Sequence, residues 1–173
     1  MTVEIVQNGH KVLRQTAKPV SPKDIGSKKL EISLNNMREA LASQKDGVAL
    51  AAPQIAISKR IFILSPKVLD QEKIDSTTPL VYINPIIIKK SKDKKKMEEG
   101  CLSVRPLYGK VKRASRVSVR ALDENGEEFE VEGRGLLAQI FQHETEHLDG
   151  ILFIDTATDL TEIVLPDEEN NDE

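Results

Sequence analysis

The stretch Gly135-Leu136-Leu137-Ala138-Gln139-Ile140-Phe141-Gln142-His143-Glu144-Thr145-Glu146-His147-Leu148 reads as one helix, stopped by Gly150. Leu136 and Ile140 continue the face that carries His143 and His147, and Leu137, Phe141 and Leu148 supply a neighbouring apolar face. The last turns contain His-Glu-x-x-His. Positions i and i+4 lie one turn apart on a helix, so both imidazoles can reach a single metal ion. Glu144 follows the first histidine, where it can take a proton from water held at such an ion. Two of the chain's three histidines sit in this one motif. Two surface histidines on an ordinary helix are the plainer alternative.

A catalytic metal needs a third protein ligand and an open position. His10, several carboxylates and the single cysteine, Cys101, are available, and composition does not choose among them. Cys101 stands in Glu99-Gly100-Cys101-Leu102-Ser103, 42 residues before His143. Gly100 would let the backbone approach a site closely. A thiolate suits Zn(II) or Fe(II), whereas a lone cysteine is also often an inert buried hydrophobe.

Around the helix the pattern is α+β. Ser27 to Lys45 reads as a helix with Ser27 as N-cap and Leu30, Leu34, Met37 and Leu41 on one face. Arg60–Leu64, Leu80–Asn84, Ile86–Lys90, Val117–Leu122 and Glu128–Glu132 read as strands, the last two flanking the turn signal Asn125-Gly126. Ile151–Ile154 is a further strand candidate, and Ser65–Pro79 is expected to be a surface excursion. Strands grouped between two helices indicate a mainly antiparallel sheet rather than alternating βα units.

The 173 residues fit one domain with a real core. Residues 1–158 are taken as that domain and 159–173 as a short acidic tail. From Asp159 onward there are seven acidic residues and no Lys or Arg; without them the net charge of −3 becomes +4. The tail after Pro166 is expected to be disordered, and Asp159–Leu165 has room for a brief helix at most. Aromatics at 3%, with no Trp, argue against a base-stacking platform, and the net charge argues against a dedicated nucleic-acid binder, DNA included. No stretch approaches a membrane span. Met1-Thr2-Val3-Glu4-Ile5 shows no basic region followed by an apolar one, so no signal peptide and a cytoplasmic location are expected. Lys89–Lys96 holds six lysines and one aspartate. It reads as a solvated hairpin tip or as an electrostatic handle for ribosomal RNA.

Three segments together resemble peptide deformylase. Gly47-Val48-Ala49-Leu50-Ala51-Ala52-Pro53-Gln54 is similar to the family's Gly-Φ-Gly-Φ-Ala-Ala-x-Gln, Glu99-Gly100-Cys101-Leu102-Ser103 matches its second motif, and Gln142-His143-Glu144-Thr145-Glu146-His147-Leu148 matches Gln-His-Glu-x-x-His-Leu. The order and spacing also agree, over residues 5 to 155. The resemblance implies a single α+β domain with antiparallel sheets around a central helix that carries the histidines. It implies hydrolysis of the N-formyl group from the initiator methionine of new polypeptides. Carried over by position, Cys101, His143 and His147 bind one divalent metal, with Fe(II) expected and Zn, Ni or Co possible on the same ligands. Glu144 becomes the general acid/base, and the Gln54 side chain and the Leu102 backbone N–H become oxyanion donors. Val48, Met97, Leu136 and Ile140 are expected around the methionine side chain, although plain core packing suits Leu136 and Ile140 equally well.

Three departures stand out. Ala49 replaces the first motif's second glycine, in a segment whose backbone pairs with the peptide in the family. Its Cβ either crowds the formyl group or is accommodated by a negative φ, so a catalytically impaired metal- or peptide-binding relative is one alternative reading. Glu146 replaces the usual Asp between the histidines. Gln139 falls where the family more often has an apolar residue. A His-Glu-x-x-His metallopeptidase is a further alternative, but such enzymes take their third ligand downstream, where this chain offers Glu162 and no His.

Overall fold

The computed structural model describes residues 3–163. Helix α1 spans Lys28–Ala42, capped by Ser27, whose Oγ accepts the Leu30 N–H at 3.2 Å. It is three residues shorter than the expected helix, because the chain tightens through Ser43 and Gln44 into a turn before Gly47. Strands β1 (Ala49–Ala51) and β2 (Ile61–Leu64) follow, then α2 (Pro66–Gln71). The expected surface excursion therefore contains a short helix. Ser65 caps it, Pro66 starts it, and Val68 and Leu69 are buried beneath it.

Strand β3 covers Val81–Lys90, where two strands separated by Pro85 were expected. Pro85 is tolerated because the ladder to its neighbour slips between Ile83 and Ile86, so no N–H is needed from it. Asn84 takes a positive φ of 51° at this bulge, and its side chain bonds both the N–H and the C=O of Val20. Strands β4 (Lys94–Gly100), β5 (Leu107–Ala114), β6 (Arg116–Leu122) and β7 (Glu128–Arg134) lead into α3, Gly135–Leu148, whose bounds agree with the sequence pattern. Gly150 ends α3 with φ +75°; a Cβ there would stand 2.7 Å from the Arg14 carbonyl, so no other residue fits. Ile151–Ile154 is not a strand: Phe153–Asp155 forms a single 3₁₀ turn. Thr158–Glu162 is not helical but forms β8, which pairs with β5. The reading of the tail after Pro166 falls outside the described residues.

All pairings between these strands are antiparallel, in two sheets of order β1-β2-β3-β6-β7 and β4-β5-β8. The larger sheet lies between α1 and α3, and strand periodicity sorts its residues. Ile61, Ile63, Val81 and Ile83 pack with Leu30, Leu34, Met37 and Leu41 of α1. Phe62, Leu64 and Tyr82 point the other way, to Leu137, Phe141 and Leu148 of α3, with the Phe62 and Tyr82 rings stacked at 4.6 Å. Strands β2 and β3 are thus covered on both faces, which is why their start reads as continuous apolar sequence. A third cluster, with Val12, Leu13, Val104, Val111, Leu152 and Phe153, includes Cys101. Lys89–Lys96 is not a hairpin tip; it carries the chain from one sheet to the other, since β3 pairs with β6 and β4 with β5.

Candidate active site

The α3 face that bears Leu136, Gln139, Ile140 and His143 forms one wall of a cleft of about 180 Å³. The opposite walls come from Gly47–Ala49, at the start of β1, and from Glu98–Leu102, at the end of β4. Both strands are sheet edges: β1 pairs only with β2 and β4 only with β5. The cleft therefore opens between two strand edges that belong to different sheets.

Cys101 and His143 line the cleft, and His147 meets them from beneath, buried. Their ligand atoms all lie within 4.8 Å of one another, and this is the cluster of metal-ligating type found among the described residues. Cys101 Sγ is 3.3 Å from His147 Nε2 and also receives the Ser103 N–H at 3.4 Å. Of the possible third ligands, His10 is elsewhere, exposed and capping the turn Lys11–Arg14 with Nδ1. The donor set fits a divalent ion. Nδ1 of His143 faces Glu99 Oε2 at 2.8 Å, which leaves Nε2 for a metal. Two buried polar atoms beside the cluster, Glu144 Oε2 and His147 Nδ1, have no protein partner.

Glu99 organises the surroundings. It lies two residues before Cys101 on an extended chain, so both side chains serve the same region. Arg113 donates to it through Nε at 3.0 Å and Nη2 at 2.6 Å, and Gln139 Nε2 donates at 3.2 Å. Arg113 also reaches Glu146 Oε1 at 2.6 Å, which supplies the partner of Arg113 and a role for the Glu146 departure. Burial alone would push the Glu99 carboxyl up, but the bonds from His143 and Arg113 outweigh it and hold it at about 2. Arg113, buried between two carboxylates, stays protonated. Glu144 has no comparable hydrogen bond, and burial outweighs the lowering influence of His143 and Arg113 and raises it to about 7. For His143, burial lowers the pKa, but bonding to Cys101 and Glu99 raises it well above the ordinary histidine range. Burial and the neighbouring His143 lower that of His147.

Gln54 is buried in a 3₁₀ turn, Ala52–Ile55. Its Oε1 accepts the Ala51 N–H at 2.9 Å; Nε2 lies 3.1 Å from Ser103 Oγ and 3.7 Å from Cys101 Sγ. Leu102 lines the cleft beside it; its carbonyl accepts from Gln7 and its N–H has no protein acceptor among the described residues. Val48, Leu136 and Ile140 line the cleft as expected from the resemblance. Met97 does not: it sits on β4 opposite Val111, and Glu98 and Glu99 take the wall instead. Ala49 does line it, with an extended, negative-φ backbone paired to Leu64, so its Cβ is accommodated without strain. Gly100 is needed less for approach to the site than for its cross-strand neighbour. A Cβ there would run into the Tyr108 ring.

The family model described as polypeptide deformylase matches residues 2–162. The chain belongs to the polypeptide deformylase family. The peptide deformylase of Halothermothrix orenii is 44% identical over 153 residues, 88% of this chain and 92% of that one. A class I type b peptide deformylase from Acinetobacter baumannii, solved bound to Met-Ala-Ser, superposes with a TM-score of 0.77 at 33% identity, over 90% of this chain and 99% of that one. The peptide deformylase from Synechococcus elongatus in complex with actinonin gives 0.78 at 36% identity, over 91% of this chain and 79% of that one. As a deformylase, the chain is a hydrolase with antiparallel sheets about one central helix. Sequence reasoning gave Glu99 no role; its signal was the two-residue spacing from Cys101. Asp46, Arg105 and Tyr108, which line the cleft mouth, carried no signal at all, since they meet only through the fold.

Proposed function

We propose that this cleft removes the formyl group from the N-terminal formyl-methionine of new polypeptides, with Cys101, His143 and His147 as metal ligands and Glu144 as general acid/base. A divalent ion on these ligands, Fe(II) in the cell by our reading and replaceable by Zn, Ni or Co, would supply an activated water and polarise the formyl carbonyl. Glu144 takes up a proton and delivers it to the departing amine. A carboxyl raised to about 7 is matched to both halves of that task. Gln54 Nε2 and the Leu102 N–H donate to the developing oxyanion, each worth on the order of 2–4 kcal/mol in such sites. Gln54 is held by its own bond to Ala51, so its amide is oriented before substrate arrives. The substrate's backbone extends along β1 and β4, and its first side chain enters between Leu136 and Ile140.

The observation that carries the reading is the convergence of three ligand atoms within 4.8 Å next to a buried, partnerless Glu144 oxygen. The test is turnover of formyl-Met-Ala-Ser by anaerobically purified protein, with metal content read on the same samples. Turnover lost in Glu144→Ala with metal retained is the expected result. Metal-loaded protein without turnover would instead favour the impaired relative and make Ala49→Gly the next variant.

Among the described residues no helix is long and apolar enough to cross a membrane. We place the reaction in the cytoplasm, where nascent chains are made. We further propose that the sheet-to-sheet crossover touches ribosomal RNA. Lys90, Lys92, Lys94 and Lys96 share a concave face with Lys110 and Lys112 of β5; Lys96, opposite Lys112 in the ladder, has Asp159 at 3.9 Å, and the remaining lysines leave the face net positive. Salt-sensitive co-sedimentation with ribosomes, lost on charge reversal at Lys92 and Lys94, is expected; sedimentation unchanged by the reversal refutes it.

A further inference from the structure

Gln139 is a polar residue, 8% exposed, on the apolar wall between Leu136 and Ile140. Its amide orientation is fixed by chemistry. Nε2 meets the Glu98 carbonyl oxygen at 2.8 Å and the Glu99 carboxylate at 3.2 Å. Both partners are acceptors only, so the nitrogen must face them and the oxygen must be turned away. No described group donates to that oxygen, and it is not among the buried partnerless atoms, so it remains accessible. The amide cannot rotate to present its NH₂ instead without placing its oxygen against a carbonyl and a carboxylate.

We infer that Gln139 is a specificity-determining residue: it gives the first-residue pocket a fixed hydrogen-bond acceptor, so that the pocket admits, beside methionine, a formylated first residue of methionine's length whose side chain ends in an N–H donor. Glutamine is that side chain. This rests on the deformylase reading above. A purely apolar wall would reject the glutamine amide, because its NH₂ would be desolvated without a partner. Here one donor finds Gln139 Oε1.

The experiment compares kcat/KM for three peptides of sequence formyl-X-Ala-Ser. X is methionine, glutamine, or the methyl ketone isostere of glutamine, in which CH₃ replaces NH₂ and removes the donors. The protein should favour glutamine over the ketone by about five- to tenfold, the scale of one hydrogen bond. Gln139→Met, which keeps the volume and removes the acceptor, should bring that ratio to about one, whatever the change in its rate on formyl-Met. A purely structural role, steadying Glu98 and Glu99, would lower all three peptides together and leave the ratio unmoved. An equal rate for glutamine and ketone in the unsubstituted protein overturns the inference while formyl-Met turnover keeps the deformylase reading. If formyl-Met itself is not hydrolysed by metal-loaded protein, both fall.

Discussion

Glu99 accepts from Arg113 Nε, Arg113 Nη2, Gln139 and His143, so one carboxylate joins a buried cation, the pocket wall and an imidazole of the metal cluster. Such a group is strongly coupled to its partners. Glu99→Ala should destabilise the protein by about 3–5 kcal/mol, because Arg113 keeps only the partly exposed Glu146. The same variant should weaken metal binding about 10- to 100-fold, through loss of the bond that orients His143. Thermal unfolding and chelator competition measure the two effects separately. At this scale the three candidate ligands were legible because histidines at i and i+4 and a motif-bound cysteine need no tertiary information. Arg113 stands outside these motifs. Its bond to Glu146 could not be read, since the two residues meet only after β5 packs on α3.

At the scale of elements, α3 must hold its register against the second sheet to within a fraction of an ångström. Gln142 does this by bonding both backbone groups of Ala114, accepting its N–H at 2.8 Å and donating to its carbonyl at 3.0 Å. Gln142→Leu leaves two buried backbone groups unpaired. It should destabilise the protein by about 2–4 kcal/mol, read from urea midpoints, with a broader loss of turnover than of metal. The bounds of α3 were legible because apolar period, motif and stop signal all agree. β8 was not, because Thr158–Glu162 is exposed throughout and has no alternation; it is a strand only because β5 offers it an open edge. Ile151–Ile154 carries the composition of a strand but has no such edge to join, so it closes into a turn over the third cluster. Pro85 misled in the opposite direction, since a bulge allows a strand to run through a residue that normally ends one.

For the whole molecule, the turn before β1 and the turn after Cys101 are tied across the cleft mouth by Arg105 and Asp46, in two bonds of 2.8 and 2.7 Å. Arg105 lowers the Asp46 pKa. A carboxylate lowered on folding adds stability above its unfolded pKa and loses it as pH falls through the folded value. Asp46→Asn should therefore cost up to about 1 kcal/mol at pH 7, since the pair is partly exposed, and nothing once the carboxylate is protonated in strong acid. Chelation should act on the fold as a whole. Metal at a hundredfold excess over its Kd adds about 2.7 kcal/mol to stability, so stripping it should lower the melting temperature reversibly.

The two strand edges that flank the cleft have one more consequence. What an unpaired edge recognises is main chain, and main chain is what all newly made polypeptides have in common. An enzyme that must accept every N-terminus in a proteome is served by a site that inspects one side chain and is indifferent to the rest. If a peptide pairs along both edges as proposed, the same geometry sets a clock: a segment already committed to its own helix or sheet has no edge to offer, so the gap would be filled before the client folds.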